Sequence, residues 1–344
     1  MADDIGSDVP SDLARGVPQG ATQGMVSRRR ALQVTFCSSV ALALNIRRPR
    51  VEAAVDPAGL HMLAIGDFGT TGKDQAAVAA AMRAYRERAG IRLQALLLLG
   101  DNIYNRVPAG LAADSPHWRA VFEDMYPSHD FDCPCYAVLG NHDYSDNADG
   151  PAAQLAYAKR PGTRWRMPAK WYRFDVTDAR TSLTVLALDS NKSPGHVSED
   201  ERRAQLVWLE EQLAGPRGRF TMVVGHHPIY SNGKHGDTDA LVRDWAPLLE
   251  RHKVHVYLAG HDHDLQHLEM AERFTSFVIS GGGGARTRAL ARQDRPVPFA
   301  RDAYGFTHVH VTAESIVCSH HGNDGTVLHR FAKRADGGVQ VDAV

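Results

Sequence analysis

The run ALLLLGDNIY, residues 95–104, couples an apolar stretch to a glycine and then to an acid. An apolar run of roughly four to eight residues closed by glycine reads as a buried strand. The glycine lets the chain turn sharply, which brings the next side chain to the strand's end. The same grammar recurs in HMLAIGDFG (61–69), CYAVLGNHDY (135–144), FTMVVGHHPIY (220–230) and VYLAGHDHD (256–264). Helical patterns lie between. KDQAAVAAAMRAYRERAG (73–90) repeats apolar residues at helical spacing, and SEDERRAQLVWLEEQLAG (198–215) opens on a capping box of Ser198 and Glu201 and closes at Gly215. Strands alternating with helices predict an α/β architecture, read as one sheet system with converging strand ends. Ligands in such sheets bind beyond the carboxyl ends of the strands, where each of these polar residues falls. FTSFVIS and FTHVHVTAESIVC, within 274–318, alternate like strands and are expected to complete a second sheet.

The 344 residues can bury a full core, and 39 basic against 40 acidic side chains leave no footprint for nucleic acid. Residues 1–24 are polar and rich in Gly, Pro and Asp, and read as a disordered extension. In 25–54, Arg28, Arg29 and Arg30 precede an apolar stretch from Ala31 to Ile46, followed by Ala53 and Ala54. That is the layout of a twin-arginine-like export signal, and the stretch is shorter than the roughly 20 residues a spanning helix needs. It predicts an exported, periplasmic or extracellular protein with no stable membrane span once the signal is removed. Residues 55–344 are expected to form the folded domain, which would carry any catalytic site. Oligomeric state has no signature in the sequence. Cys133, Cys135 and Cys318 then remain, an odd number, and Cys133-Pro134-Cys135 reads as packing at a strand entry, since it lacks a second ligand pair at zinc spacing.

The candidate site is a set: Asp67, Asp101, Tyr104, Asn141, His226, His261 and His263 bring carboxylate, phenol, amide and imidazole donors to five strand ends. Seven donors exceed one tetrahedral zinc site and suit two neighbouring metals, with a carboxylate such as Asp101 able to bridge ions about 3.5–4 Å apart. Single motifs say less. GDFG matches a kinase magnesium loop but stands at the first strand, without the other kinase elements. SGGGGARTR (280–288) reads as a flexible turn. Asp189 is a further strand-end acid that stays open as a ligand. Asp262 and Asp264 read as ligand-orienting groups or solvated turn carboxylates, and His227 as wall. His308, His310, His320 and His321 receive no chemistry.

The blocks GDFG, GDNIY, GNHD, GHHP and GHDH, in this order over Leu60 to Gly284, resemble those of the purple acid phosphatases, small tartrate-resistant type, within the calcineurin-like metallophosphoesterase superfamily. The resemblance implies a four-layer α/β/β/α sandwich of two mixed sheets flanked by helices, with the metal site at the strand C-terminal ends. It implies Fe(III) on Asp67, Tyr104 and His263, a divalent Fe, Zn or Mn on Asn141, His226 and His261, and Asp101 bridging. It also implies phosphate monoesters as substrates, an acid optimum, and attack by a metal-bound hydroxide. His142 and His235 would contact the phosphate, an imidazolium there stabilising it or protonating the leaving group. A metallophosphodiesterase acting on nucleotides or lipid head groups, and a redox or phosphate-binding role, are the competing readings.

Overall fold

The computed structural model describes residues 55–193, 195–292 and 294–343. The expected extension and export signal, 1–54, lie outside the described residues. The first half builds β1 (Leu60–Ile65), β2 (Ala95–Leu98), β3 (Cys135–Ala137), β4 (Trp165–Arg166), β5 (Tyr172–Thr177), β6 (Ser182–Ala187) and β7 (Phe220–Val224). The second half builds β8 (Val256–Ala259), β9 (Leu265–Glu269), β10 (Ser276–Ser280), β11 (Phe299–Arg301), β12 (Gly305–Val311), β13 (Ser315–Gly322), β14 (Val327–Arg334) and β15 (Val339–Val341). Between strands stand α1 (Lys73–Ala89), α2 (Asn141–Ser145), α3 (Gly150–Tyr157), α4 (Glu199–Ala214), α5 (Asp239–Asp244) and α6 (Ala246–Arg251). Among the described residues, no helix is long and apolar enough to cross a membrane.

All five glycine-closed runs are strands: β1, β2, β3, β7 and β8. They belong to two sheets. The eight-stranded sheet runs β15-β14-β13-β12-β1-β2-β3-β4 and the seven-stranded sheet β11-β9-β10-β8-β7-β6-β5. Each is mixed: β1 pairs parallel with β2 but antiparallel with β12, and β8 pairs parallel with β10, which pairs antiparallel with β9. The converging ends are therefore supplied by two sheets. The expectation for 274–318 needs a correction of the same kind. β10 enters the second sheet, whereas β12 and β13 join the first, with Leu60 opposite Val311. Alternation reports which faces are buried, and β12 is buried throughout, so the pattern could not name the sheet.

Helices complete the layers. Leu183, Val185 and Ala187 of β6 join the larger core shared with the first sheet, while Leu186 turns the other way toward Leu209 and Leu213 of α4. That period-two split is what a sheet covered on both faces requires. Tyr85 of α1 packs on Phe306 and His308 of β12. Ser198 caps α4: its hydroxyl accepts from the Glu201 amide at 3.2 Å and its own amide donates to Glu201 at 2.9 Å. Such a cap stabilises a helix by roughly 1 kcal/mol. Cys133, Cys135 and Cys318 are unpaired and buried, with Cys133 and Cys135 in the core at the start of β3.

Candidate metal centre

Three of the turns after these strands are left-handed at the functional residue itself: φ is 59° at Asp67, 52° at Asp101 and 70° at His261. That conformation costs roughly 1–2 kcal/mol for an L-residue, and the neighbouring packing holds it in place. The glycines make the close approach possible. A Cβ on Gly100 would stand 2.6 Å from His226 Nδ1, and one on Gly140 2.2 Å from Asp101 Oδ1.

The seven candidate residues meet as two sets. In one, the Tyr104 hydroxyl lies 3.2 Å from Asp67 Oδ1, 3.0 Å from Asp101 Oδ2 and 3.2 Å from His263 Nε2. In the other, His226 Nε2 lies 3.1 Å from Asn141 Oδ1, 3.2 Å from His261 Nδ1 and 3.5 Å from Asp101 Oδ1. Asp101 touches both sets, one oxygen to each. Ring orientation is held from behind. His226 Nδ1 donates to the Leu99 carbonyl at 2.9 Å and His263 Nδ1 to the Arg286 carbonyl at 2.8 Å. Each Nε2 therefore presents a lone pair to the cage.

Electrostatics call for a cation. Burial and the Asp101 carboxylate push Asp67 well above the usual carboxylate range, and burial with both carboxylates pushes the Tyr104 phenol up. Burial lowers His226, His261 and His263, which keeps them in the neutral, ligating form. Two buried carboxylates side by side are stable as anions only around positive charge. Ligand atoms of Asp67, Asp101 and His226 lie within 4.8 Å of one another. Oxygen and nitrogen donors so arranged fit a pair of metal ions.

Two further histidines, His142 and His235, stand against the rings of Tyr104 and His261. His142 Nδ1 is engaged by Asp146 at 3.0 Å, which leaves Nε2 as the open ring nitrogen. His235 Nε2 lies 2.7 Å from an Nη of Arg288. A guanidinium only donates, so in this contact Nε2 accepts. Burial comes first among the causes lowering His235, and Arg288 adds to it. His227 is wall in this sense: its ring lies tilted 4.3 Å from that of His261, and Nδ1 meets the Ser190 hydroxyl at 2.8 Å. One nitrogen of His227 also lies within 4.8 Å of ligand atoms of His226 and His261.

Several neighbours are supports. Asp262 and Asp264 are 1% exposed, so the solvated-turn alternative falls away. Asp262 accepts from the Ser231 hydroxyl and the His235 amide, and Asp264 from Gln266. Asp189 accepts from Tyr144 and Asn191. The glycine run is no loose turn: 281–285 is buried, Gly283 donates to the Gly66 carbonyl at 3.1 Å and Ala285 to the Asp67 carbonyl at 2.8 Å. Asp143 escaped the sequence reading. Its buried carboxylate accepts from the amides of Asn102, Ile103 and Gly140 at 3.0, 3.1 and 2.8 Å and from Gln154 at 2.8 Å, and so ties GDNIY to GNHD. Its place inside both the motif and a short helix was the available signal.

A model of the calcineurin-like phosphoesterase family matches residues 60–265, which span every cage residue. The chain belongs to that family. It is 32% identical over 285 residues to tartrate-resistant acid phosphatase type 5 of Mus musculus, covering 75% of this chain and 85% of the relative. It is 31% identical over 309 residues to purple acid phosphatase 4 of Arabidopsis thaliana, covering 85% and 89%. Among solved structures, GAP50, the anchor in the inner membrane complex of Plasmodium, superposes with a TM-score of 0.70 at 23% identity, over 79% of this chain and 87% of that one. The purple acid phosphatase PPD1 from yellow lupin seeds gives 0.59 at 14% identity, over 80% and 54%. Those structural likenesses bear on the fold. As a calcineurin-like phosphoesterase, the chain is a hydrolase of phosphate esters acting at a dimetal site.

Proposed function

We propose that this chain is an exported acid phosphatase acting on phosphate monoesters. In this reading Asp67, Tyr104 and His263 hold Fe(III), Asn141, His226 and His261 hold divalent iron, zinc or manganese, and Asp101 serves both. One observation carries it. The Tyr104 oxygen sits among Asp67, Asp101 and His263 at 3.0–3.2 Å, and a phenolate there is a hard anionic donor suited to a trivalent ion. The other set carries no phenol and is built from imidazole and amide around one carboxylate oxygen, a milder environment suited to a divalent ion. When bound, the ions polarise the phosphoryl group and acidify a water molecule so that it can attack phosphorus.

The chain's own groups do the rest. His142, steadied by Asp146, meets the phosphate through Nε2, and its backbone amide donates to Asp101 Oδ1 at 2.8 Å, which keeps that ring beside the shared carboxylate. Asp143, itself held by Gln154, accepts from the Asn102 backbone amide, which keeps Asp101 and Tyr104 in register. Residues 25–54 supply the export signal.

The test is metal analysis and a visible spectrum of purified protein beside hydrolysis rates for an aryl monoester and a diester. The expected result is a violet, iron-containing phosphatase that prefers the monoester, with Tyr104→Phe losing the visible band. A colourless, iron-free and fully active wild type overturns the Tyr104 assignment, and a faster diester rate overturns the monoester reading.

A further inference from the structure

Arg288 stands beside the cage on a loop that is tied down on both sides of it. Its backbone amide donates to the His263 carbonyl at 3.3 Å. Its side chain donates to His235 at 2.7 Å, and the His235 ring lies 4.3 Å from the ring of His261. One residue thus reaches the backbone of one set and, through a single imidazole, the other set.

The surrounding loops form one braced rim. The amides of Ala291 and Arg292 donate to the Asn232 carbonyl at 3.1 and 3.0 Å, and Arg295 donates to Asn232 Oδ1 and Asp237 Oδ1, each at 2.8 Å. The nearby acids are already engaged: Asp237 by Arg295, Arg292 and the Ser231 amide, and Asp262 by Ser231 and the His235 amide. No carboxylate among the described residues reaches Arg288, and His235 takes only one of its five N–H donors. A half-buried guanidinium with donors unspent, held at the edge of a phosphoester site, is shaped to receive an oxyanion.

We propose that Arg288 is a substrate-binding residue whose guanidinium meets the oxygens of the bound phosphate, with His235 as the positioning residue that aims it. The proposal rests on the phosphatase reading. It adds the fixed positive charge of an arginine to the edge of the pocket.

The test compares wild type, Arg288→Ala and Arg288→Lys as metal-loaded proteins. Calorimetry measures binding of inorganic phosphate, and steady-state rates on an aryl monoester separate KM from kcat. The expected result for Arg288→Ala is unchanged metal content, phosphate affinity weakened about 10- to 100-fold, the size of a lost charge-assisted hydrogen bond, and partial recovery on adding guanidinium ion. Lysine restores part of the affinity, because it replaces the charge but not the planar fork. Wild-type affinity in Arg288→Ala overturns the proposal. So does loss of metal in both variants, which would make Arg288 a brace only. Arg288-dependent phosphate binding by a wild type that hydrolyses no monoester supports the Arg288 assignment and overturns the phosphatase reading instead.

Discussion

Among the described residues two buried regions are rich in histidine, and only one has the donor set of a metal centre. In the cage, His226 and His263 each give one ring N–H to a backbone carbonyl and turn the other nitrogen toward carboxylates. In the layer built by β1, β9 and β12–β14, the rings meet each other. His61 Nδ1 lies 3.1 Å from His308 Nε2, Tyr85 reaches His308 Nδ1 at 2.8 Å, and His267 Nδ1 lies 2.9 Å from His329 Nε2 across the sheets. The rings also stack, His61 on His310 at 4.3 Å and His267 on Phe331 at 3.5 Å. Glu269, 2.7 Å from His267, is the one carboxylate in contact with that layer among the described residues. The lesson concerns what makes a ligand. Imidazole becomes one when a carbonyl fixes its tautomer and anions share its far side.

The sharpest way to break this contrast is to remove the shared anion. Asp101→Ala is expected to empty both halves of the cage and lower kcat/KM by about 10³-fold or more, beyond the roughly 10- to 100-fold typical of supporting groups. His310→Gln, a comparable change in the layer, is expected to leave metal content intact and activity within about threefold. Metal analysis with initial rates decides. Loss of metal from the His310 variant would erase the distinction between the regions.

Next in size is the support beneath the cage. Asp143→Asn keeps the shape but replaces one acceptor oxygen with a donor facing amides that also donate. It is expected to weaken metal affinity about 10- to 100-fold, read by chelator competition, and to lower the melting temperature. An unchanged affinity would make Asp143 a folding residue alone. A smaller effect, about tenfold on kcat/KM with metal content unchanged, is expected from Asp146→Ala, since His142 would lose its anchor without leaving the pocket.

These residues also mark how far the sequence could be read. Glycine-closed strands are local patterns, so the five strand ends and their ligand-type side chains were legible one block at a time. Pairing is not local: β12 returns some 240 positions after β1 to lie against it, and no alternation pattern encodes that return. The partner of His235 was hidden for the same reason, because Arg288 lies 53 positions away. Asp262 is the intermediate case, visible as a carboxylate between two ligands but not as the acceptor for a distant loop.

The histidine layer carries the last prediction. Burial lowers His61 and His329 to about 4 and His321 to about 3, and takes His308 and His320 well below the usual value. In the unfolded chain these rings titrate near pH 6.5. Below that pH the unfolded state binds more protons than the folded one, so stability falls as pH drops from about 6.5 toward 4 and is unaffected by these groups above 6.5. Neighbouring cations act in the same direction on part of the layer, Arg330 on His308 and His321 and Lys333 on His267, while Glu269 opposes at His267 and Asp56 at His61. In a domain of this order 1 kcal/mol moves the melting temperature by about 2–4 °C. Metal-loaded protein, whose cage imidazoles are occupied, is therefore expected to melt at least about 5 °C lower at pH 5 than at pH 7.5. Scanning calorimetry at the two pH values, with metal content checked in each sample, makes the comparison. A flat profile with metal retained would mean that the layer accepts protons in the folded state, as a solvent-facing set of imidazoles would.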